Sequence, residues 1–311
     1  MRHFASDELK RLLPFDQLIA EIRAAFETGA HVPLRHSHVI ENDGQAGTSL
    51  LMPAWDAQGY YGVKIVNIYP GNRARGIPGL HSTYTLFDAT TGAPLALFDG
   101  DVITSRRTAA AAALGAAFLA REDASRLLVC GAGRVGSLVG PAMAAIRSLT
   151  DVAVWDIDAS AAQRCAAQWK EDGLPARAVA DLEAAVRQAD IVSCATLADQ
   201  PFIRAEWLAE GSHLDLIGSF TPAMTEADPA CFAQADVWVD TDEALMKSGD
   251  LLTAISAGSW RGEMARGDLT KLCRGQAEAR TNAKQRTLFK AVGSALEDLA
   301  AARLAFTANA S

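Results

Sequence analysis

LLVCGAGRVGSLVG, residues Leu127 to Gly140, sets four glycines around a short apolar run. Gly131, Gly133 and Gly136 fall between RLLVC, which reads as a buried strand, and RVGSLVGPAMAAIRSL, whose apolar spacing is helical. In a strand–turn–helix of this kind the first glycine makes the tight turn. The second lets a pyrophosphate approach the backbone, and the third lets helix pack on strand. Ala132, Arg134 and Val135 complete a loop whose helix N-terminus favours phosphate. About twenty residues beyond Gly136 comes Asp156, at the end of the next apolar run, DVAVWD. A carboxylate there accepts from both ribose hydroxyls and repels a 2′-phosphate, so NAD is expected over NADP. Ile157 and Asp158 share that loop and count among the expected cofactor contacts. Asp158 also suits the cap of the helix that follows.

The strands continue outward from this loop. ARAV, DIVSCAT, GSHLDLIG and ADVWVD are apolar runs separated by helix-like segments such as DLEAAVRQA. That alternation predicts a doubly wound parallel sheet covered on both faces, of Rossmann type. The first part of the chain reads differently. HVPLRHSHVIE, GTSLLMPAW, YYGVKIVNIYP, HSTYTLFDA and APLALFD are short β-like runs broken by glycine, proline and aspartate, with few helices between them. Mixed or antiparallel pairing is expected there, opened by a helix near residues 6–28 and closed by the alanine-rich helix around TAAAAALGAAFLA. TLFKAVGSALEDLAAARLAF, residues 287–306, reads as an amphipathic helix. The predicted division is a substrate and dimerisation domain over 1–122, with 287–311 returning to it, and a dinucleotide domain over 123–286.

Composition limits the partners. The chain has 311 residues, 50% hydrophobic and 21% charged, with a formal charge of −8. That balance argues against nucleic acid or an anionic membrane. The start, MRHFASDELKRLLPF, lacks the apolar core of a signal peptide. The five cysteines are odd in number and widely spaced, so a reduced, cytoplasmic setting is expected, without disulfides. His36 and His38 share a strand face, but no third ligand stands at metal spacing, so no metal site is expected.

Three cations suggest an acidic substrate instead. Arg107 lies in DVITSRRTAAAA, read as the first turn of a helix capped by Thr104 or Ser105, where a guanidinium would make a carboxylate site. Arg106 is expected to be the solvated neighbour. Lys64 interrupts the apolar run YYGVKIVNIY, and Arg35 lies in PLRHSH.

Taken in order, YPGN, DGDVITSRRTAAAAALGAAFLAR, CGAGRVG, GSFTPAMTEAD, SGDLL and TLFKAVGSALEDLAAA resemble the ornithine cyclodeaminase and mu-crystallin family. The resemblance implies a dinucleotide domain inserted into a substrate domain whose sheets pair two subunits into a homodimer. It implies that Arg35, Lys64 and Arg107 grip a substrate carboxylate and that Thr108 lies beside the nicotinamide and phosphate. By the same comparison Thr196 and Leu197 lie near the ribose, Gly218 and Ser219 border the nicotinamide, and Lys290 and Gly293 close over it. Leu50 and Phe220 depart from the pattern, standing where the cyclodeaminases carry carboxylates for the amino groups of a diamino acid. The expected activity is therefore NAD-dependent hydride transfer at the C–N bond of a small α-amino acid or its imine. Redox-neutral cyclodeamination and non-catalytic ligand binding are the rivals.

Overall fold

The computed structural model describes residues 1–42 and 44–308, so the part of the expected C-terminal return that falls on 309–311 lies outside it. Two compact units form. One holds residues 1–107 with the chain from Ser294 onward, and the other holds Thr108–Gly293.

In the first unit, strands β1 (Arg2–Phe4), β2 (His36–Asn42), β3 (Gln45–Trp55), β4 (Tyr60–Ile68), β5 (Leu80–Asp88) and β6 (Pro94–Asp99) make a sheet in the order β1-β6-β5-β4-β3-β2. Only β1–β6 is parallel; the other neighbours are antiparallel, as short runs joined by tight turns require. The single helix expected near 6–28 is two, α1 (Ser6–Leu12) and α2 (Phe15–Thr28). Pro14 divides them: the residue before a proline avoids helical angles, and Leu13 has φ −121° and ψ 57°.

Helix α3 (Gly100–Leu119) contains the boundary between the units, which falls after Arg107. It begins earlier than expected because Asp99, not Thr104 or Ser105, caps it. The Asp99 carboxylate accepts from the N–H groups of Asp101 and Val102 at 2.9 and 3.1 Å.

The second unit is the predicted parallel sheet. It contains β7 (Arg126–Cys130), β8 (Asp151–Trp155), β9 (Ala176–Ala178), β10 (Ile191–Cys194), β11 (His213–Leu216), β12 (Asp236–Val239), β13 (Gly267–Asp268) and β14 (Thr287–Lys290), ordered β13-β12-β14-β11-β10-β7-β8-β9. The order reverses beside β7, so the crevice outside the carboxyl ends of β7 and β10 is the topological switch point, where such sheets bind ligands. The expectation that TLFKAVGSALEDLAAARLAF, residues 287–306, forms one amphipathic helix fails. Thr287–Lys290 is a fully buried strand between β11 and β12, and the helix starts only at Ala295. Two alternations of apolar and small residues cannot separate a four-residue buried strand from a helical turn. The C-terminal helix, Ala295–Ala308, is buried on almost every side, including its adjacent Glu297 and Asp298.

Candidate functional site

In the second unit, the loops at the carboxyl ends of the parallel strands gather most of the residues expected to hold a dinucleotide. Gly131 follows β7 with φ 103°, and a Cβ there would lie 2.7 Å from the Ala195 carbonyl oxygen. Gly136 opens α4 (Gly136–Ala144), and a Cβ on it would come within 1.9 Å of the Gly131 carbonyl oxygen. At Gly133 a Cβ would meet nothing within 4 Å. Two glycines are thus required by the fold, while the middle one faces open space, as a backbone that must admit a pyrophosphate does.

Asp156 follows β8. Its carboxylate accepts from the Ala132 N–H at 2.7 Å and the Asp158 N–H at 2.8 Å, which ties the glycine loop to the neighbouring strand end. Asp158 takes the capping role, accepting from the Ser160 N–H at 2.9 Å, so Asp156 is not consumed as a helix cap. Ile157 and Leu197 stand 93% and 78% exposed, two large apolar side chains on loops after β8 and β10. These features together fit a dinucleotide: room for phosphates, a carboxylate beside the loop, and apolar surface for a planar base.

Thr196 and Gly218 lie in the loops after β10 and β11, joined by the buried Glu226 carboxylate. Ser219 is turned inward, its Oγ donating to the Met224 carbonyl at 2.5 Å. Lys290 is fully buried, with Nζ 3.4 Å from Asp250 Oδ2. Gly293 N–H donates to Asp240 Oδ2 at 2.6 Å. Lys290 is therefore the counter-ion of an internal carboxylate group rather than a side chain projecting outward. Burial pushes the pKa of Asp215 up to about 7 and those of Glu226 and Asp240 upward as well.

The second cluster lies in the first unit. Lys64, on β4, points to the buried face of the sheet, with Nζ 2.9 and 2.7 Å from the two Asp298 oxygens. Arg107 donates from Nε to Asp298 Oδ1 at 2.7 Å and from Nη1 to Glu297 Oε2 at 2.8 Å. Neither cation is a surface charge: Lys64 is 1% and Arg107 5% exposed. Arg107 is not in a first helical turn, because α3 starts seven residues before it. Its setting is set by paired carboxylates, not by the helix dipole. Arg106, expected to be solvated, donates from Nε and Nη2 to the Leu13 carbonyl at 2.8 and 2.6 Å, and its guanidinium lies 4.3 Å from the Phe15 ring centre.

Burial pulls the Lys64 pKa down to about 8; Asp298 opposes this, while Arg107 and then Arg35 push the same way. Arg35 is thus close enough to act on Lys64 through its charge. Burial works against the Asp298 carboxylate, but Lys64 and Arg107 outweigh it and hold its pKa below the usual range. For Arg107 the order is the same: burial opposes the charge, and Asp298 and Glu297 override it.

Glu297 and Asp298 fall within TLFKAVGSALEDLAAA, yet no role was expected of them. The signal was present: two adjacent acids in a helix rich in alanine and leucine. Leu50 and Phe220 are both partly buried, Leu50 on β3 opposite Val66 and Phe220 against the core of the second unit.

Comparison with known proteins completes the description. The model of the ornithine cyclodeaminase/mu-crystallin family matches residues 5–310. A delta(1)-pyrroline-2-carboxylate reductase of Paracoccus denitrificans is 40% identical over 257 residues, which cover 81% of each chain. The structure of the Thermococcus litoralis delta(1)-pyrroline-2-carboxylate reductase in complex with NADH and L-proline gives a TM-score of 0.93 at 30% identity, covering 100% of this chain and 98% of that one. An archaeal alanine dehydrogenase dimer with bound NAD gives 0.91 at 27% identity, covering 100% and 96%.

Proposed function

From the premise that this chain belongs to the ornithine cyclodeaminase/mu-crystallin family, we propose that it is a NAD-dependent reductase of a small cyclic imino acid bearing one carboxylate. The reverse direction is oxidation of the corresponding amino acid. The observation that carries this reading is the buried Lys64–Arg107 pair: both cations converge on Asp298, and Arg35 lies near enough to act on Lys64 through its charge. Cations gathered in this way suit a substrate that brings a carboxylate. The similarity to two delta(1)-pyrroline-2-carboxylate reductases supports the cyclic imine as the substrate class.

Reduced nicotinamide, when bound, supplies the hydride that reaches the imine carbon. Arg107 keeps Nε and Nη1 on its carboxylate partners, which fixes the plane of the guanidinium and leaves Nη2 to donate to the substrate carboxylate. Lys64 holds the same carboxylate and, lowered to about 8, can give its proton to the imine nitrogen. Asp298 touches both cations and orients them. Gly131, Gly133 and Gly136 would receive the pyrophosphate, with Ala132, Arg134 and Val135 in the loop. Asp156 would take the adenosine ribose, Ile157 and Leu197 the base, and Thr108, Thr196, Gly218 and Ser219 the remaining contacts. The first unit would pair with that of a second copy.

Cyclodeamination of a diamino acid is less well supported, because Leu50 and Phe220 offer no carboxylate to an additional amino group. The deciding assay supplies delta(1)-pyrroline-2-carboxylate with NADH and follows nicotinamide absorbance. It then supplies ornithine with catalytic NAD and looks for proline. Stoichiometric loss of NADH with the imine supports the proposal. Proline from ornithine without net NADH would overturn it.

A further inference from the structure

We propose that Glu226 is a positioning residue for the dinucleotide site, joining the loops after β10 and β11 through one buried carboxylate. The proposal rests on the dinucleotide reading above. Glu226 is fully buried. Its Oε1 accepts from the Thr196 N–H at 2.7 Å and from the Thr196 hydroxyl at 2.8 Å, while Oε2 accepts from the Gly218 N–H at 2.7 Å. One side chain thereby fixes two strand ends on which cofactor contacts are expected.

Gly218 gives an independent sign of the same arrangement. A Cβ at this position would lie 2.1 Å from the Thr196 carbonyl oxygen and 2.3 Å from Glu226 Oε1. The glycine is thus required by the approach of the Thr196 carbonyl and of the carboxylate together, whether or not a nicotinamide lies nearby. The clamp is itself held in place. The Glu226 N–H donates to Asp250 Oδ1 at 2.7 Å, and the Asp250 N–H donates to Ser219 Oγ at 2.9 Å.

A buried carboxylate is costly unless charge and hydrogen bonds compensate it. Here Lys290 on β14 is the compensating cation, while Asp250 and Asp215 face Glu226 as like charges, and the Cys194 thiol faces it from β10. An apolar residue would fill the space more cheaply, so the charge is explained by the three donors it orients. Burial raises the Glu226 pKa, with Lys290 acting against the rise. Protonation would turn one acceptor oxygen into a donor and release one of the two loops.

The test measures NADH dissociation constants by fluorescence for the wild type, Glu226→Gln and Thr196→Val, with melting temperatures and a pH series. Glu226→Gln keeps the shape but places an amide NH2 against a donor. It should fold and bind NADH about ten- to a hundred-fold more weakly, the loss typical of a hydrogen bond to a charged acceptor. Its KM for the imine at saturating NADH should be unchanged. Wild-type affinity should fall on acidification, and that of the variant should fall less. A folded Glu226→Gln with wild-type affinity and pH dependence would overturn the proposal. Should that variant fail to fold, Thr196→Val decides through its pH series: losing a donor to the Glu226 carboxylate should move the acid limb of NADH binding to higher pH, which a lost direct contact would not do, and an unmoved limb overturns the proposal. A wild type that does not bind NADH would remove the functional reading itself, a result distinct from any variant's.

Discussion

At the scale of single residues, Lys64 carries the sharpest consequence. With its pKa drawn down to about 8, it bears a proton below that value and loses it as pH rises through it. Imine reduction should therefore show an alkaline limb near pH 8 in kcat/KM. Asp298→Asn removes the partner that favours the charged lysine, so the limb should move to lower pH. A limb that stays in place would separate Lys64 from proton transfer. Arg107 is read by another pair of measurements. Arg107→Ala strips Glu297 and Asp298 of their guanidinium, and breaking a buried pair in this way costs about 3–5 kcal/mol of stability, read as a lower melting temperature. Arg107→Lys keeps the charge but loses the fork, and kcat/KM for the imine should fall about thirty-fold to several thousand-fold. Unchanged kcat/KM would leave Arg107 as a purely structural ion pair. Asp156 supplies the third test: NADH should be preferred to NADPH, and Asp156→Ser should narrow the preference. A wild type favouring NADPH would exclude Asp156 as the ribose contact. Lys64 stood out because a charge inside an apolar run demands a reason, and Arg107 because it was read, wrongly, in a first helical turn. Asp298 did not, since its partners Lys64 and Arg107 are far away in sequence, and Glu226 did not, since only the folded sheet brings the loops after β10 and β11 onto one carboxylate.

The elements show where sequence patterning succeeds and where it fails. β7, β8, β10, β11 and β12 could be read because continuous apolar runs bounded by helices signal strands buried on both faces. Thr287–Lys290 was lost because a run of four residues carries too little periodicity, and its partners β11 and β12 are set only by the folded sheet. The start of α3 was misplaced because Asp99 competes with Thr104 and Ser105 as a cap, and local chemistry alone does not rank them. The glycine loop allows a prediction at this scale. Gly136→Ala would drive Cβ against the Gly131 carbonyl, so the β7–α4 turn must shift and the melting temperature should fall. Gly133→Ala meets no protein atom, so stability should hold while NADH affinity drops. If both variants behave alike in melting and binding, the open space at Gly133 is not where the pyrophosphate approaches.

For the whole molecule, the open question is what covers the sheet of the first unit. On one face it packs against the C-terminal helix, which in turn packs on α2, and Met52, Ala54, Lys64 and Val66 point that way. The alternation of β-strands sends Leu51, Trp55 and Ile65 to the other face, where Trp55 and Ile65 are 38% and 37% exposed. On the neighbouring β2, Ile40 is 42% exposed, and all seven residues of that edge strand are exposed. Apolar side chains on a bare sheet face beside an open edge are what a second subunit covers, and a symmetric pair uses the same patch twice. The wild type should therefore be a dimer at micromolar concentration by light scattering. Ile65→Glu puts a charge at the middle of that face, at a position already exposed in the single chain. It should give a folded monomer with most of its helix and strand signal intact. A monomeric wild type would contradict this assignment. A dimer that survives Ile65→Glu would place the interface on another surface and leave this face without a partner.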